Sequence, residues 1–323
     1  MPRHSDRGAR WLVQLHRHLK QRHAADEVAA TTAAGSESDS LEAATFVARG
    51  DGTGGPVPRF QYTTDPSSSE YLADAYAKAA AIGVQHRTFE SAAFGGRRVG
   101  YNIYLPPGYR ESNERLAVIY NLHGASGNEH HSFEDVKVLH EGIITGRWPP
   151  MLMVLPNGGT FTQYRNSYDG AIPAETCIVE DLIPHIDSEY RTIAGRHGRC
   201  IEGYSMGGYG ATHFAVKYPD LFCSSFNQAG TVTHVSEMGG MLADTPGWDG
   251  TKWESYLHGY LGPDKAFAEA NDAFVLLSRN AEAIRGKVRM ALACGTQDNR
   301  HLPTVRAFHE ALLDHGIDHT YIE

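Results

Sequence analysis

Ser205 stands in Gly203-Tyr204-Ser205-Met206-Gly207, a G-x-S-x-G placed after the apolar run Arg199–Glu202 and before a helical pattern reaching Tyr218. That placement gives the motif its meaning. A tight turn from strand to helix forces the serine into strained backbone geometry and lifts its hydroxyl clear of a sheet. Side chains two residues to either side would collide in such a turn, so both positions need glycine. The helix N-terminus behind the serine favours negative charge developing beside it. The chemistry on offer is nucleophilic attack on a carbonyl carbon. A serine hydroxyl is a poor nucleophile alone: it needs a base, and the base needs an orienting carboxylate.

With a serine on such an elbow, the acid and then the histidine follow in chain order. The apolar run Val288–Ala293 ends in Cys294-Gly295-Thr296-Gln297-Asp298-Asn299, which puts Asp298 just past a strand end, on the expected edge. The alternative is that Asp298 only caps a helix starting near Leu302. An oxyanion hole needs two preorganised N–H donors. One is the amide of Met206. The other belongs to the loop His123-Gly124-Ala125-Ser126-Gly127, where the amide of Ala125 is the candidate and a plain turn the alternative. His123 fits a structural hydrogen-bonding role better than that of base.

These residues need a scaffold that brings strand ends to one edge. HRTFESAAFGGRRVGYNIYLPPGY reads as two strands around a Gly-Gly turn. Apolar runs follow at Leu116–Leu122, Met151–Leu155, Arg199–Glu202, Leu221–Phe226, Val288–Ala293 and His319–Glu323. Helical patterns lie at Ser69–Ala81, Phe133–Thr145, Ala174–Tyr190, Ser205–Tyr218 and Leu302–His315. Strands alternating with helices predict an α/β fold, a mostly parallel central sheet with helices on both faces. Residues 1–58 are predicted to be a poorly ordered tail, 59–85 a helical lead-in, and 86–323 one catalytic domain.

Composition narrows the partners. With 41 % apolar and 21 % charged residues the chain suits a globular enzyme. A formal charge of −9 gives no reason to expect nucleic acid. No run of apolar residues is long enough to span a membrane. The N-terminus lacks a signal-peptide pattern, so the expectation is cytoplasmic, or secreted if translation starts elsewhere. Cys177, Cys200, Cys223 and Cys294 read as reduced core residues. His130 and His131 read as solvated loop residues, and no metal site is expected.

Several segments together resemble the putative-esterase family of α/β-hydrolases: YNIYLPPGY, VIYNLHGASGNE, LPNGG, VEDLIPHIDSEYR, GYSMGGYGATHFAVKYPDLF and GTQDN. That family takes in feruloyl and acetyl-xylan esterases, S-formylglutathione hydrolases, enterochelin esterases and mycolyltransferases. The resemblance runs from about Arg97 to the C-terminus. It implies the α/β-hydrolase fold, Ser205 as nucleophile, Asp298 as triad acid, Met206 and Ala125 as oxyanion donors, and no metal or organic cofactor.

In the family the catalytic histidine follows the final strand, and a C-terminal helix comes after it. Here HTYIE is the end of the sequence. The expectation is therefore a C-terminally incomplete domain that lacks this helix and has its catalytic histidine beyond Glu323. His301 is the in-chain fallback; His309, His315 and His319 do not match the position. The expected activity is carboxylic ester hydrolysis through an acyl-enzyme on Ser205, on a small-molecule or carbohydrate ester. The alternatives are a serine acyltransferase with the same site and an inactive hydrolase-fold fragment. Tyr164, Arg165 and Tyr168 are weak substrate-contact candidates. Trp248, Trp253 and Tyr256 are available to a pocket in Thr231–Lys287.

Overall fold

Buried β-rich runs flanked by amphipathic helices assemble here around one twisted sheet. The computed structural model describes residues 59–233 and 265–323, together with the backbone strand β1 (Phe46–Ala48). β1 pairs antiparallel with β2 (Arg59–Gln61), so a strand lies inside the segment expected to be an unstructured tail. The remainder of residues 1–58, and Trp248, Trp253 and Tyr256, fall outside the described residues.

The main sheet holds eight strands in the order β10-β9-β8-β7-β5-β6-β4-β3. They are β3 (Val84–Ser91), β4 (Arg97–Tyr104), β5 (Ala117–Leu122), β6 (Met151–Pro156), β7 (Arg199–Tyr204), β8 (Ser224–Gln228), β9 (Arg289–Ala293) and β10 (His319–Ile322). β3 and β4 form the expected hairpin, with Gly95 and Gly96 taking the positive φ angles of its turn. β4 also runs antiparallel to β6, and β5 to β10 are all parallel.

Side chains alternate across β5. Val118, Tyr120 and Leu122 enter one core cluster with Phe214 of α4 (Met206–Lys217). Ile119 enters another with Phe133, Val136 and Leu139 of α2 (Phe133–Ile144). The sheet is thus covered on both faces, as the unbroken apolar runs require. α1 (Glu70–Ala81) packs beside α2 and is capped by the Ser69 hydroxyl, which accepts from the Leu72 amide.

Four elements depart from the sequence reading. The stretch expected as one helix, Ala174–Tyr190, turns through a π segment at Cys177–Leu182 before α3 (Ile183–Glu189). Pro184 lacks an N–H and cannot continue an α ladder, which accounts for the widened turn. β8 starts at Ser224, three residues later than expected, and carries the polar side chains of Ser224, Ser225 and Asn227 into the core. Ser225 donates to the Ala211 carbonyl at 3.0 Å, and Asn227 donates to Thr212 Oγ1 at 2.9 Å. Two helices were not anticipated: α5 (Lys265–Glu269) and α6 (Ala273–Ile284), the second packed on α4. α7 (Leu302–Asp314) precedes β10.

Strand order sets the site. From β5 the chain passes to β6 on one side and later enters β7 on the other, so the loops leaving β5 and β7 diverge. A crevice opens at the carboxyl ends of parallel strands at such a reversal. Those two loops carry Gly124-Ala125 and Ser205.

Candidate active site

Ser205 sits between β7 and α4 with φ 54° and ψ −117°, a conformation that L-residues rarely adopt. Its amide donates to the Gln228 carbonyl at the end of β8 over 2.9 Å, which fixes the turn to the neighbouring strand. The two motif glycines are required by contact. A Cβ on Gly207 would stand 1.9 Å from the Leu122 carbonyl oxygen, and one on Gly203 would stand 2.5 Å from the Gly207 backbone. Both obstacles are backbone and cannot swing aside. Ser205 is half-buried, and Tyr204 beside it is 47 % exposed. Met206 opens α4, so its amide has no helical carbonyl to meet.

The loop after β5 lies directly against this turn. A Cβ on Gly124 would come within 3.8 Å of the Ser205 Cβ. His123 organises the loop: its Nε2 accepts from the Gly158 amide at 3.0 Å and its Nδ1–H donates to the Gly124 carbonyl at 2.7 Å. Burial pushes its pKa down to about 4, although the bond to Gly124 opposes that shift, so the ring is neutral. With both nitrogens in use, His123 is structural. The Ala125 carbonyl accepts from the Phe161 amide at 3.0 Å, which fixes the peptide adjoining the candidate donor.

Two expected substrate contacts need correction. Tyr164 is fully buried; its hydroxyl donates to the His123 carbonyl at 3.0 Å, and its ring fills the space left by Gly158 and Gly210. Arg165 is also fully buried, its guanidinium 4.5 Å above the Tyr209 ring. Both support the loop from inside, out of a substrate's reach. Tyr168 stays on the surface at 44 % exposure, edge-on to Phe267.

Asp298 follows β9, two strands from β7. The Ala229 amide donates to the Ala293 carbonyl at 2.7 Å, linking the end of β8 to the end of β9. His301 Nδ1–H donates to Asp298 Oδ2 at 2.8 Å, and the amides of His301 and Arg300 donate to Oδ1 at 2.9 and 3.2 Å. Partial burial would raise the Asp298 pKa, but the bonds from His301 and Arg300 outweigh it and keep the carboxylate ionised. The alternative role is partly present too, since these amide bonds shape the turn into α7. Asp298 and His301 form a carboxylate–imidazole pair. His309, His315 and His319 lie elsewhere: His309 Nδ1 meets His319 Nε2 at 2.7 Å, and His315 bonds the Ala311 carbonyl.

A second buried group braces α4, the helix that follows Ser205. Glu175 accepts from His213 Nε2 at 2.8 Å and pairs with Lys217 at 2.7 Å. Burial alone would raise the Glu175 pKa; His213 and Lys217 bring it down to about 2. Nothing in the sequence spacing pointed to this partnership.

Among the described residues one cluster could hold a metal: His86, Glu129 and His130, whose ligand atoms all lie within 4.8 Å of one another. Its bonds read better as a clasp. His130 Nδ1 accepts from Asn102 at 2.9 Å and its Nε2–H donates to the Thr64 carbonyl at 3.0 Å. Glu129 takes the Thr64 amide at 2.7 Å and the Thr63 hydroxyl at 3.2 Å. The cluster ties residues 63–64 to the loop that continues from Ala125. His130, expected to be solvated, is therefore a buried structural residue.

The family model described as Putative esterase matches residues 91–312. The chain belongs to the putative esterase family. Among curated proteins it is 33 % identical over 145 residues to an esterase of Mycobacterium tuberculosis (strain CDC 1551 / Oshkosh), covering 44 % of this chain and 31 % of that one. It is 30 % identical over 149 residues to an endo-1,4-beta-xylanase/feruloyl esterase of Xylanibacter ruminicola, covering 43 % of this chain and 20 % of that one. The chain thus matches only about a third and a fifth of these longer relatives. Among solved structures, a ferulic acid esterase superposes with a TM-score of 0.60 at 21 % identity, over 74 % of this chain and 88 % of its own. That likeness concerns the fold, which is the α/β-hydrolase fold.

Proposed function

We propose that this family member hydrolyses carboxylic esters through an acyl-enzyme on Ser205. The observation that carries the reading is the backbone at Ser205, φ 54° and ψ −117°, held between two glycines whose replacement would strike backbone. Strain of this kind persists only where the surroundings enforce it.

In the proposed sequence Ser205 Oγ attacks the ester carbonyl and its proton passes to an imidazole oriented by Asp298. The amides of Met206 and Ala125 donate to the oxyanion. Collapse expels the alcohol, which takes the proton from the imidazole. Water then attacks the acyl-enzyme with the same imidazole as base, and Ser205 leaves protonated. The imidazole in contact with Asp298 is His301, at 2.8 Å. The position implied by the family resemblance follows β10 instead. Names of relatives that include feruloyl esterase support esters of small acids or carbohydrates as substrates.

A fluorophosphonate probe tests the nucleophile, because only an activated serine reacts. Ser205→Ala should abolish labelling and leave ester turnover at the residual level of about 10³–10⁴-fold over water that binding and the oxyanion hole sustain. Retention of a tenth of the wild-type kcat with the fold intact would overturn the reading. His301→Ala in the same assay decides the base: loss of labelling makes His301 the base, and retained labelling places it elsewhere.

A further inference from the structure

Two of the four cysteines lie at the opposite end of the nucleophile strand from Ser205, in contact with each other. Cys200 is the second residue of β7 and is 4 % exposed. Cys223 immediately precedes β8, and its amide donates to the Arg199 carbonyl at 2.9 Å. Because Cys200 stands in register with Ser224, Cys223 is its diagonal neighbour on the adjacent strand. Strand spacing and rise put such a pair of Cα atoms about 6 Å apart, within the window a disulfide spans. Their sulfur atoms are already only 3.9 Å apart.

We propose that Cys200 and Cys223 form an oxidisable dithiol that small-molecule disulfides convert to an intramolecular bridge. The two thiols differ in access. Cys223 is half-buried, its sulfur near the His197 carbonyl at the turn into β7, whereas Cys200 is enclosed by the sheet. They differ in acidity in the same sense. The Cys200 thiol donating to Cys223, with Arg196 adding positive charge, lowers the Cys223 pKa, and that same contact together with burial raises that of Cys200. Attack therefore begins at Cys223.

The Cys223 thiolate attacks one sulfur of the oxidant, forming a mixed disulfide and expelling the first thiolate. Cys200 then loses its proton and attacks the Cys223 sulfur, expelling the second thiolate. One protein dithiol and one small disulfide become one protein disulfide and two small thiols. Residues 201–222 lie inside the closed loop, and they include Ser205 and all of α4. The bridge is thus a staple around the nucleophile unit, remote from the reacting hydroxyl. Loop closure of that length should raise Tm by about 7–10 °C. The inference stands on its own, whatever ester the site takes.

The reduced full chain is incubated with oxidised glutathione, then examined by thiol titration in denaturant and by non-reducing peptide mapping. Two of the four thiols should disappear, with one bridge joining the peptides of Cys200 and Cys223, reversed by dithiothreitol. Cys200→Ser should stop at a glutathione adduct on Cys223, and Cys223→Ser should leave Cys200 unmodified. Four free thiols, a stable Cys223 adduct in the unsubstituted chain, or a bridge through Cys177 or Cys294 would each overturn the proposal. Equal modification of Cys200 in Cys223→Ser would overturn the order of attack, and an unchanged Tm would overturn the staple.

Discussion

Replacing Ser205 by glycine should make the protein more stable than replacing it by alanine, although both changes remove the hydroxyl. The two variants differ only in the Cβ. Alanine keeps it at φ 54° and ψ −117°, where an L-residue costs about 1–3 kcal/mol; glycine has no such cost there. Against this, glycine adds freedom to the unfolded chain, worth about 0.5–1 kcal/mol. The difference is therefore about 0.5–2 kcal/mol in favour of Ser205→Gly, or about 1–6 °C in Tm for a domain of this size. Thermal unfolding followed by circular dichroism, at matched concentration and scan rate, measures it. A Ser205→Gly variant no more stable than Ser205→Ala would mean that the elbow holds no releasable strain, and the reasoning from backbone to nucleophile would fail.

Gly207→Ala should abolish ester turnover and cost several kcal/mol in urea unfolding, because its Cβ meets the Leu122 carbonyl at 1.9 Å; native-like stability would refute the elbow geometry. Acid unfolding should begin early. His123 and His213 are both held down to about 4, so the unfolded chain takes up protons first, and stability falls as pH drops from 6.5 toward 4 by up to about 3 kcal/mol for each ring. A flat stability profile over that range would count against neutral buried rings. The alkaline side has the opposite sign at Glu202, where burial and the nearby Asp135 raise the carboxyl to about 8. Its stabilising contribution is lost as pH rises from 4.5 to 8, so Glu202→Gln should be a few kcal/mol more stable than the parent at pH 8 and close to it at pH 4. A pH-independent difference between the two would contradict a protonated Glu202.

The readable parts of this site were local ones. Gly203, Ser205 and Gly207 lie within five residues, and the turn they form dictates their identities, so spacing alone exposed them. The position of Asp298 just past β9 was readable because the apolar run marks that strand's end. The fate of Tyr164 and Arg165 was not, because Tyr164 packs on Gly158 and on Gly210 of α4, and Arg165 on the Tyr209 ring of the same helix. His130 is buried through Thr64 and Asn102, remote in sequence, so its polar neighbours misled. β8 was misplaced because Ser224, Ser225 and Asn227 are polar yet buried, the last two hydrogen-bonded inside. α6 was a missed signal of a different kind. Ala273, Leu276, Leu277, Ala281 and Ile284 carry a helical repeat, and Asp272 caps it by accepting from the Phe274 and Val275 amides.

Strain marks the same place without reference to any motif. Among the described residues the non-glycine positions with positive φ are Phe161, Gln163, Tyr164, Ser205 and Ala229. Ser205 is the elbow itself. Ala229 continues from Gln228, whose carbonyl holds the Ser205 amide, and its own amide reaches the end of β9. Phe161 donates to Ala125, and Tyr164 donates to the carbonyl of His123. These conformations cost free energy at each residue, and all five lie in loops at the carboxyl ends of β6, β7 and β8, beside the reversal of strand order. A fold with no use for that geometry would have relaxed it with glycine, as the β3–β4 turn does at Gly95 and Gly96. Tyr164, buried beneath the loop after β5 and bonded to the His123 carbonyl, holds that loop in place beside Ser205.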